Sequence, residues 1–219
     1  MNTLTLVIGN KNYSSWSLRP WLVLRQAGIP FEEVYIPLCR PDSAAALAQW
    51  SPSGKVPALR DGDLQVWDSL AICETLAERF PEKQLWPLDA AARAVARSVS
   101  AEMHSGFSAL REHMSMNIRA RRPGKGRTAE SLADVERIVA IWSDCRARFG
   151  QGGDFLFGRF CIADAMVAPV VLRFQTYGVA LEGAAKDYAD AVLALPALKA
   201  WVADALVETE RIEMYEVDE

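Results

Sequence analysis

The chain has 219 residues, a formal net charge of -4 and a hydrophobic fraction of 51%, with 24% charged residues. This balance is typical of a folded globular protein that forms one large domain or two smaller ones. The slight negative charge argues against nucleic acid as the main partner. Because no apolar run approaches the roughly 20 residues of a membrane span, we expect no membrane partner. The N-terminus lacks a basic segment followed by a signal core, so we expect a cytoplasmic protein.

The residues that usually bind metals have no metal-site spacing. The two histidines, His104 and His113, have no second ligand at a suitable distance in sequence. The four cysteines form no C-x-x-C pair, and in a reducing cytosol we expect them to be buried thiols: Cys39, Cys73, Cys145 and Cys161. The sequence therefore predicts no metal.

Strands and helices alternate in the first eighty residues. An apolar strand over residues 4–8 precedes a helix that begins near Ser15 or Trp16, with Pro20 in its first turn, and ends before Gly28. A second strand over 31–36 should run parallel to the first. A short helix, a hairpin turning at Asp61 and Gly62, and a helix over 69–80 follow. The order β-α-β-α-β-β-α predicts an α/β domain of thioredoxin-like type over residues 1–80.

The remainder of the chain has the pattern of helices only. Residues 81–88 contain two prolines and resemble a linker. Asp89 should cap one long helix that reaches about residue 118, and Thr128 a second that ends near residue 149. Three further helices are predicted over 162–175, 186–193 and 197–207, the first opened by Cys161 and Asp164 in a weakened capping box. Residues 89–219 are therefore predicted to form an all-helical domain.

Residues 52–69 combine a strand edge, a hairpin and a helix start. If the peptide bond before Pro57 is cis, the backbone N–H and C=O of Val56 can face outward and pair with an extended ligand. The free N–H groups of the helix that starts near Ser69 favour a carboxylate, and Asp68 beside them suits an ammonium group. The alternative is an ordinary hairpin followed by a capped helix.

The ordered motifs G-K-V-P-A-L, the D-G hairpin and the acidic-Ser helix start resemble the glutathione-binding half of the cytosolic glutathione S-transferase family. The likeness extends over nearly the whole chain. It implies that the Pro57 loop pairs with the cysteinyl backbone of glutathione and that the acidic-Ser pair holds its γ-glutamyl end. The glutathione-binding residues that it implies are Lys55, Val56, Pro57, Asp68, Ser69 and, more weakly, Arg40; a solvated lysine is the alternative for Lys55.

The first helix starts with a serine-rich stretch. A thiol there would meet the positive end of the helix dipole and hydroxyl donors, both of which favour the thiolate. The stretch S-S-x-S-x-R is similar to the S-S-C-S-W-R signature of the zeta class, which places the chain near the Ser-type zeta and theta-like classes. On that match Ser14 is the first candidate to activate the thiol, Ser15 the second and Tyr13 the third. A helix cap without catalysis is the alternative.

One position departs from the zeta pattern. Trp16 stands where zeta enzymes have cysteine, and no cysteine precedes Cys39. This argues against disulfide exchange and puts a strict maleylacetoacetate isomerase assignment in doubt. In the family the first long helix lines the electrophile pocket, which implies a pocket formed by Trp16, Met103, His104, Phe107 and Arg111. Core packing is the alternative for the apolar side chains of that helix.

The resemblance implies an enzyme that activates the glutathione thiol for attack on a small electrophile. Conjugation, isomerisation of the maleylacetoacetate type and peroxidase activity remain open. The competing hypothesis is a binding module of the same fold that acts in a protein assembly without turnover. The resemblance also implies a homodimer, for which Trp50, Trp67 and Trp86 are candidate interface anchors.

Overall fold

The computed structural model describes residues 3–216, and its N-terminal part is a four-stranded mixed sheet with flanking helices. The sheet order is β2–β1–β3–β4, with β1 and β2 parallel and the other pairs antiparallel. The strands are β1 (Leu4–Ile8), β2 (Phe31–Tyr35), β3 (Ala58–Asp61) and β4 (Leu64–Val66). The parallel pairing of the first two strands confirms the prediction from the strand–helix–strand unit.

Three helices accompany the sheet in the predicted order: α1 (Ser15–Gln26), α2 (Ser43–Ala48) and α3 (Ser69–Arg79). The side chains of α1 are buried from Leu18 to Leu24, because the helix packs on the sheet side and also on the C-terminal helices. Pro20 is the sixth residue of α1 and so lies in its second turn, not in its first as predicted. Proline lacks an N–H, so it cannot donate to the carbonyl four residues earlier.

The C-terminal part is all-helical, as predicted. Its helices are α4 (Ala90–Ser105), α5 (Ser108–His113), α6 (Ala129–Phe149), α7 (Ile162–Tyr177), α8 (Gly183–Ala194) and α9 (Pro196–Val207). Asp89 and Thr128 cap α4 and α6 as expected, the Asp89 carboxylate accepting from the Ala92 N–H at 2.8 Å. No helix of residues 3–216 is both long and apolar enough to cross a membrane.

The prediction of one helix from Asp89 to about residue 118 is wrong. The chain breaks at Gly106 and Phe107, the latter in the left-handed region with φ 60°. Arg111 donates from Nε to the Gly106 carbonyl at 3.1 Å and from Nη2 to the Met103 carbonyl, so its guanidinium caps the end of α4. A carboxylate on α6, Asp134, accepts from the Leu110 N–H at 2.9 Å near the start of α5. Side chains beyond the break thus replace the lost helical hydrogen bonds.

Helix α7 forms the centre of the core and is buried along almost its whole length. It packs on α1, α4 and α8 and so joins the two parts of the chain. Its start is fixed by Asp164, whose carboxylate accepts from the Cys161 N–H at 2.8 Å and the Leu156 N–H at 3.1 Å. The reach of Asp164 back to the backbone agrees with the capping box predicted there. Arg173 is the one charged residue in the last two turns of this apolar helix.

The three tryptophans considered as interface anchors differ in exposure. Trp86 is buried and donates from Nε1 to Glu74 at 3.0 Å. Trp50 is half-buried, with the Arg60 guanidinium 4.5 Å from its ring centre. Only Trp67 of the three remains exposed, at 45%. A contact with another subunit through Trp86 would therefore require the residues that cover its side chain to move.

Candidate functional site

Two adjoining cavities lie where the turn after β1 leads into α1. The α1 cavity has a volume of about 570 Å³, and its wall includes Ser14, Ser15, Arg111 and Arg173. The α3 cavity has a volume of about 370 Å³, and its wall includes Pro57, Asp68, Ser69 and His104. Three residues, Trp16, Lys55 and Val56, line both cavities. A small ligand that extends along these three side chains can therefore occupy both cavities at once.

Ser14 is the N-cap of α1, and its hydroxyl is engaged inside the protein. Ser14 Oγ accepts from the Ser17 N–H at 3.3 Å and donates to Ser17 Oγ at 2.8 Å. Ser17 Oγ also accepts from the Gly9 N–H at 3.1 Å. Because a hydroxyl has a single proton, this arrangement leaves Ser14 no proton for a ligand unless its rotamer changes.

Ser15 is the first residue of α1, and its hydroxyl has a different environment. Arg173 Nη2 donates to Ser15 Oγ at 3.3 Å. Within residues 3–216 no acceptor takes the Ser15 hydroxyl proton, so that proton is free to reach a ligand in the α1 cavity. A hydroxyl that accepts from a cation is a stronger donor, since hydrogen bonds in a chain polarise one another.

Tyr13 lines the α1 cavity, but its hydroxyl is held by the C-terminal segment. Tyr13 donates to the Glu216 carboxylate and accepts from Arg119 Nη2 at 2.8 Å and from the Ile212 N–H at 3.4 Å. Its ring stacks on Tyr215, with centroids 5.7 Å apart. Burial raises the pKa of Tyr13, and the hydrogen bond to Glu216 raises that pKa further. These partners make Tyr13 an anchor for residues 212–216 of the chain.

Three guanidinium groups make the α1 cavity and the Trp16 side of it electropositive: half-buried Arg111 and buried Arg173 line the cavity, and buried Arg19 lies against Trp16. Arg19 and Arg111 stack on the Trp16 ring, with guanidinium carbons 4.3 and 4.8 Å from its centre. Burial, then the charges of Arg111 and Arg173, lower the pKa of Arg19 to about 9. Burial and Arg111 lower the pKa of Arg173 to about 10. All these groups remain cationic at neutral pH, so the cavity favours an anion.

The Arg19 guanidinium is also short of hydrogen-bond acceptors. Its Nε and Nη1 atoms are buried and have no partner among the described residues. A buried cation without acceptors is costly, because neither water nor a carboxylate compensates its lost hydration. An anion held near Trp16 would lower that cost through its charge.

The turn before β3 contains the cis bond on which the prediction of an outward-facing Val56 backbone depended. The Val56–Pro57 peptide bond is cis. Neither the N–H nor the C=O of Val56 makes a hydrogen bond to any residue in the described range 3–216. Both groups are therefore available to an extended ligand in the cavities that Val56 lines.

The start of α3 combines one acidic group, Asp68, with one unpartnered hydroxyl, that of Ser69. Asp68 Oδ1 caps the helix by accepting from the Leu70 N–H at 3.0 Å and the Ala71 N–H at 3.4 Å. Its other oxygen, Oδ2, lies 3.0 Å from His104 Nε2. The Ser69 hydroxyl is fully buried and without a hydrogen-bond partner in the described part of the chain. A ligand carboxylate can accept a hydrogen bond from that hydroxyl, and Asp68 Oδ2 can accept one from a ligand ammonium group.

Some predicted residues lie away from the α1 cavity. Met103 and Phe107 are buried in the core and line neither cavity. His104 lies in the α3 cavity beside Asp68, together with predicted glutathione residues and Trp16, and does not line the α1 cavity. Arg40 is exposed, lines neither cavity, and lies 4.0 Å from Asp42. Lys55 is exposed and lines both.

Arg173 and Tyr215 are among the residues of the α1 cavity that were not identified from the sequence. Arg173 is far from the serines in sequence, although a lone arginine in an apolar helix is a visible signal of a functional or buried charge. Tyr215 reaches the cavity only because the chain end folds back to Tyr13. No local pattern indicates that contact. Within residues 3–216 no three metal-binding side chains cluster at a site.

The sequence matches two family profiles that together span most of the chain. Residues 13–79 match the description "Glutathione S-transferase, N-terminal domain", and residues 90–204 match "Glutathione S-transferase, C-terminal domain". Among solved structures, a glutathione transferase homolog from Burkholderia gl BGR1 with bound glutathione is similar, with a TM-score of 0.69, 23% identity and coverage of 93% and 98%. A diazinon-metabolizing glutathione S-transferase of the silkworm Bombyx mori is also similar, with a TM-score of 0.73 and 17% identity. The match covers 93% of this chain and 97% of the silkworm chain.

Similar curated proteins have names of more than one kind. A stringent starvation protein A homolog from Pasteurella multocida is 29% identical, with 79% of this chain and 76% of that protein covered. Glutathione S-transferase Z2 of Arabidopsis thaliana is 27% identical, with coverage of 78% and 80%. A probable maleylacetoacetate isomerase of Caenorhabditis elegans is 32% identical, with coverage of 76% and 77%. Two of these three names state an enzyme, and the name of the stringent starvation protein A homolog states no reaction.

Proposed function

Since this chain belongs to the glutathione S-transferase family, we propose that it binds glutathione across the two cavities and directs the ionised thiol at a small electrophile. The observation that carries the proposal is the Ser15 hydroxyl. It lies at the N-terminal end of α1, accepts from the Arg173 guanidinium, and has its own proton free for a ligand in the α1 cavity. Such a donor stabilises a thiolate more than a thiol.

The free backbone and side-chain groups support one orientation of glutathione. The cysteinyl backbone pairs with the N–H and C=O of Val56, which have no other partners in residues 3–216. The γ-glutamyl carboxylate reaches the Ser69 hydroxyl and the start of α3, and its ammonium reaches Asp68 Oδ2. Lys55 is available for the glycine carboxylate. This orientation directs the thiol toward Ser15 and Trp16.

Ionisation of the thiol requires a modest free energy. A thiol with an ordinary pKa of about 8.5 needs roughly 2.7 kcal/mol of differential stabilisation to titrate near about pH 6.5. One hydrogen bond to the charged sulfur contributes about 1.5–3 kcal/mol, and the end of α1 adds about 0.3–1 kcal/mol. The buried cations Arg19 and Arg173 and the half-buried cation Arg111 act in the same direction. The chain's own groups are therefore sufficient for the shift.

The electrophile is a small molecule with an acidic group. Arg111 and Arg173 face the α1 cavity, and burial lowers the pKa of each guanidinium, so both gain from a nearby anion. In conjugation, the thiolate forms a bond to an electrophilic carbon, and the leaving group departs with the bonding electrons. In isomerisation, the thiolate adds to a conjugated double bond and leaves again after rotation, so glutathione is regenerated.

Two assays test the proposal. The protein should be retained on immobilised glutathione and should accelerate the reaction of glutathione with chlorodinitrobenzene. A vinyl ketone that carries a carboxylate should react with a higher kcat/KM than its methyl ester, because only the acid is attracted by the guanidinium groups. Absence of both retention and turnover would contradict the proposed function. Equal rates for the acid and its ester would contradict only the choice of substrate.

A binding module without turnover is the second candidate. The identity to a stringent starvation protein A homolog, whose name states no reaction, is as high as the identity to the zeta-class transferase. Retention on glutathione without acceleration of any thiol reaction would favour this candidate. The free proton of Ser15 favours the enzyme, because a site that only holds glutathione needs no donor at the sulfur.

A further inference from the structure

His104 joins the helical part of the chain to the proposed glutathione site. Its Nε2 lies 3.0 Å from Asp68 Oδ2, and its ring meets the Trp16 ring edge-on with centroids 5.3 Å apart. Its Nδ1 is buried without a hydrogen-bond partner in residues 3–216. The imidazole is thus fixed so that one particular nitrogen contacts one particular carboxylate oxygen.

The two oxygens of Asp68 have separate tasks. Oδ1 accepts from the N–H groups of Leu70 and Ala71 and so belongs to the cap of α3. Oδ2 is the oxygen left for a ligand cation, and it is the oxygen that His104 contacts. A carboxylate oxygen has two lone pairs, so Oδ2 can accept from one imidazole N–H and from one ligand ammonium.

We propose that His104 positions the Asp68 carboxylate for the amino group of bound glutathione, and that protonation of the imidazole weakens this binding. The proposal rests on the proposed function. A neutral imidazole donates from Nε2 and orients Oδ2 while the negative charge of Asp68 remains available to the ammonium. An imidazolium neutralises that charge and repels the ammonium at short range. Glutathione affinity should therefore fall as the imidazole gains its proton.

Several other charged groups lie close to His104 in the sequence or in the fold. Glu102, two residues earlier on α4, is paired with Arg137 of α6 at 2.7 Å. Arg19 of α1 and Arg111 of α5 stack on Trp16 and remain cationic at neutral pH. Lys55 and Asp68 line the α3 cavity together with His104, and Asp68 contacts the imidazole directly.

The test is a calorimetric titration with S-methylglutathione at about pH 8 and about pH 5.5. This thioether has no thiol proton, so ionisation of a ligand thiol beside Ser15 does not contribute to the pH dependence. Wild type should bind about tenfold more weakly at the lower pH. His104→Gln keeps a donor but cannot be charged, so its affinity should change by less than about twofold.

Matched variants separate positioning from a general effect of pH. His113→Gln removes the other histidine of the chain and should keep the wild-type pH dependence. Asp68→Asn should bind weakly at both pH values. The same fall in affinity in His104→Gln as in wild type would overturn the proposal. Wild-type binding that does not change with pH would also overturn it while leaving the proposed function intact. Absence of any wild-type binding would overturn both.

A measurement on wild type alone covers the case in which His104→Gln does not fold. The protonated fraction of the His104 imidazole at about pH 6, measured by NMR, should fall when the protein is saturated with S-methylglutathione. The reason is linkage: a ligand that binds better to the neutral form must also favour that form. An unchanged protonated fraction would overturn the proposal.

Discussion

Alanine substitutions at Ser14 and Ser15 should have different effects, because the two hydroxyls make different contacts. Ser15→Ala removes a hydroxyl whose oxygen accepts from Arg173 Nη2 at 3.3 Å and whose own proton is free for a ligand. Losing a hydrogen bond to a charged sulfur costs about 1.5–3 kcal/mol, which lowers the rate between about tenfold and about 150-fold. The same loss should raise the pKa of the bound thiol by about one to two units.

Ser14→Ala removes the N-cap of α1 and should mainly change stability. The lost contacts are the acceptor for the Ser17 N–H and the donor to Ser17 Oγ. Loss of an N-cap costs about 0.5–2 kcal/mol of unfolding free energy. For a chain of this length, each kcal/mol lowers the Tm by roughly 2–4 °C. Turnover at a temperature well below the Tm should stay within about threefold of wild type, since no transition-state contact is lost.

The assay is kcat with saturating glutathione and an excess of chlorodinitrobenzene, together with thermal melting of each variant. Ser15→Ala should lose rate with little change in Tm, and Ser14→Ala should lose Tm with little change in rate. The opposite pattern of rates would refute the argument from hydroxyl protons and would favour Ser14, the residue indicated by the zeta-class signature. Full rate in both variants would refute activation by either hydroxyl.

Three further outcomes are expected. Tyr13→Phe should increase hydrogen exchange in residues 212–216, because the Tyr13 hydroxyl anchors Ile212 and Glu216. Turnover should stay within about twofold of wild type, and a tenfold loss of rate would instead make Tyr13 the thiol activator. Cys161→Ser should raise the unfolding free energy by about 0.5–1 kcal/mol in denaturant melts, since a hydroxyl accepts better than a thiol at the cap of α7; an unchanged or lower value would contradict this. Light scattering should give a homodimer, with the exposed Trp67 at the interface, and a mass near 24.2 kDa at all concentrations would contradict it.

Features set by residues close together in sequence could be predicted from the sequence. The helix start at Asp68 and Ser69 follows from an acidic residue and a serine before an apolar helical pattern, and Asp68 is the residue that caps α3. The parallel pairing of β1 and β2 follows from the short helix between them. The Val56–Pro57 turn and the Ser69 helix start lie together at the α3 cavity, as the hairpin between them required.

Features set by distant contacts could not be predicted in this way. The helix from Asp89 is interrupted because Arg111 and Asp134 satisfy backbone groups at the break, and neither role has a local signal. The difference between Ser14 and Ser15 depends on Arg173, which lies 158 residues beyond Ser15. Propensity and spacing describe neighbours along the chain, so the assignment of a hydroxyl proton had to wait for the tertiary structure.

The central claim is that the protein lowers the pKa of a bound glutathione thiol. The direct measurement is the ultraviolet absorbance of the thiolate in the protein–glutathione complex, followed as a function of pH. The bound thiol should titrate about one to two units below the ordinary value of about 8.5, and Ser15→Ala should reverse most of that shift. A bound thiol that titrates at the ordinary value would contradict the account.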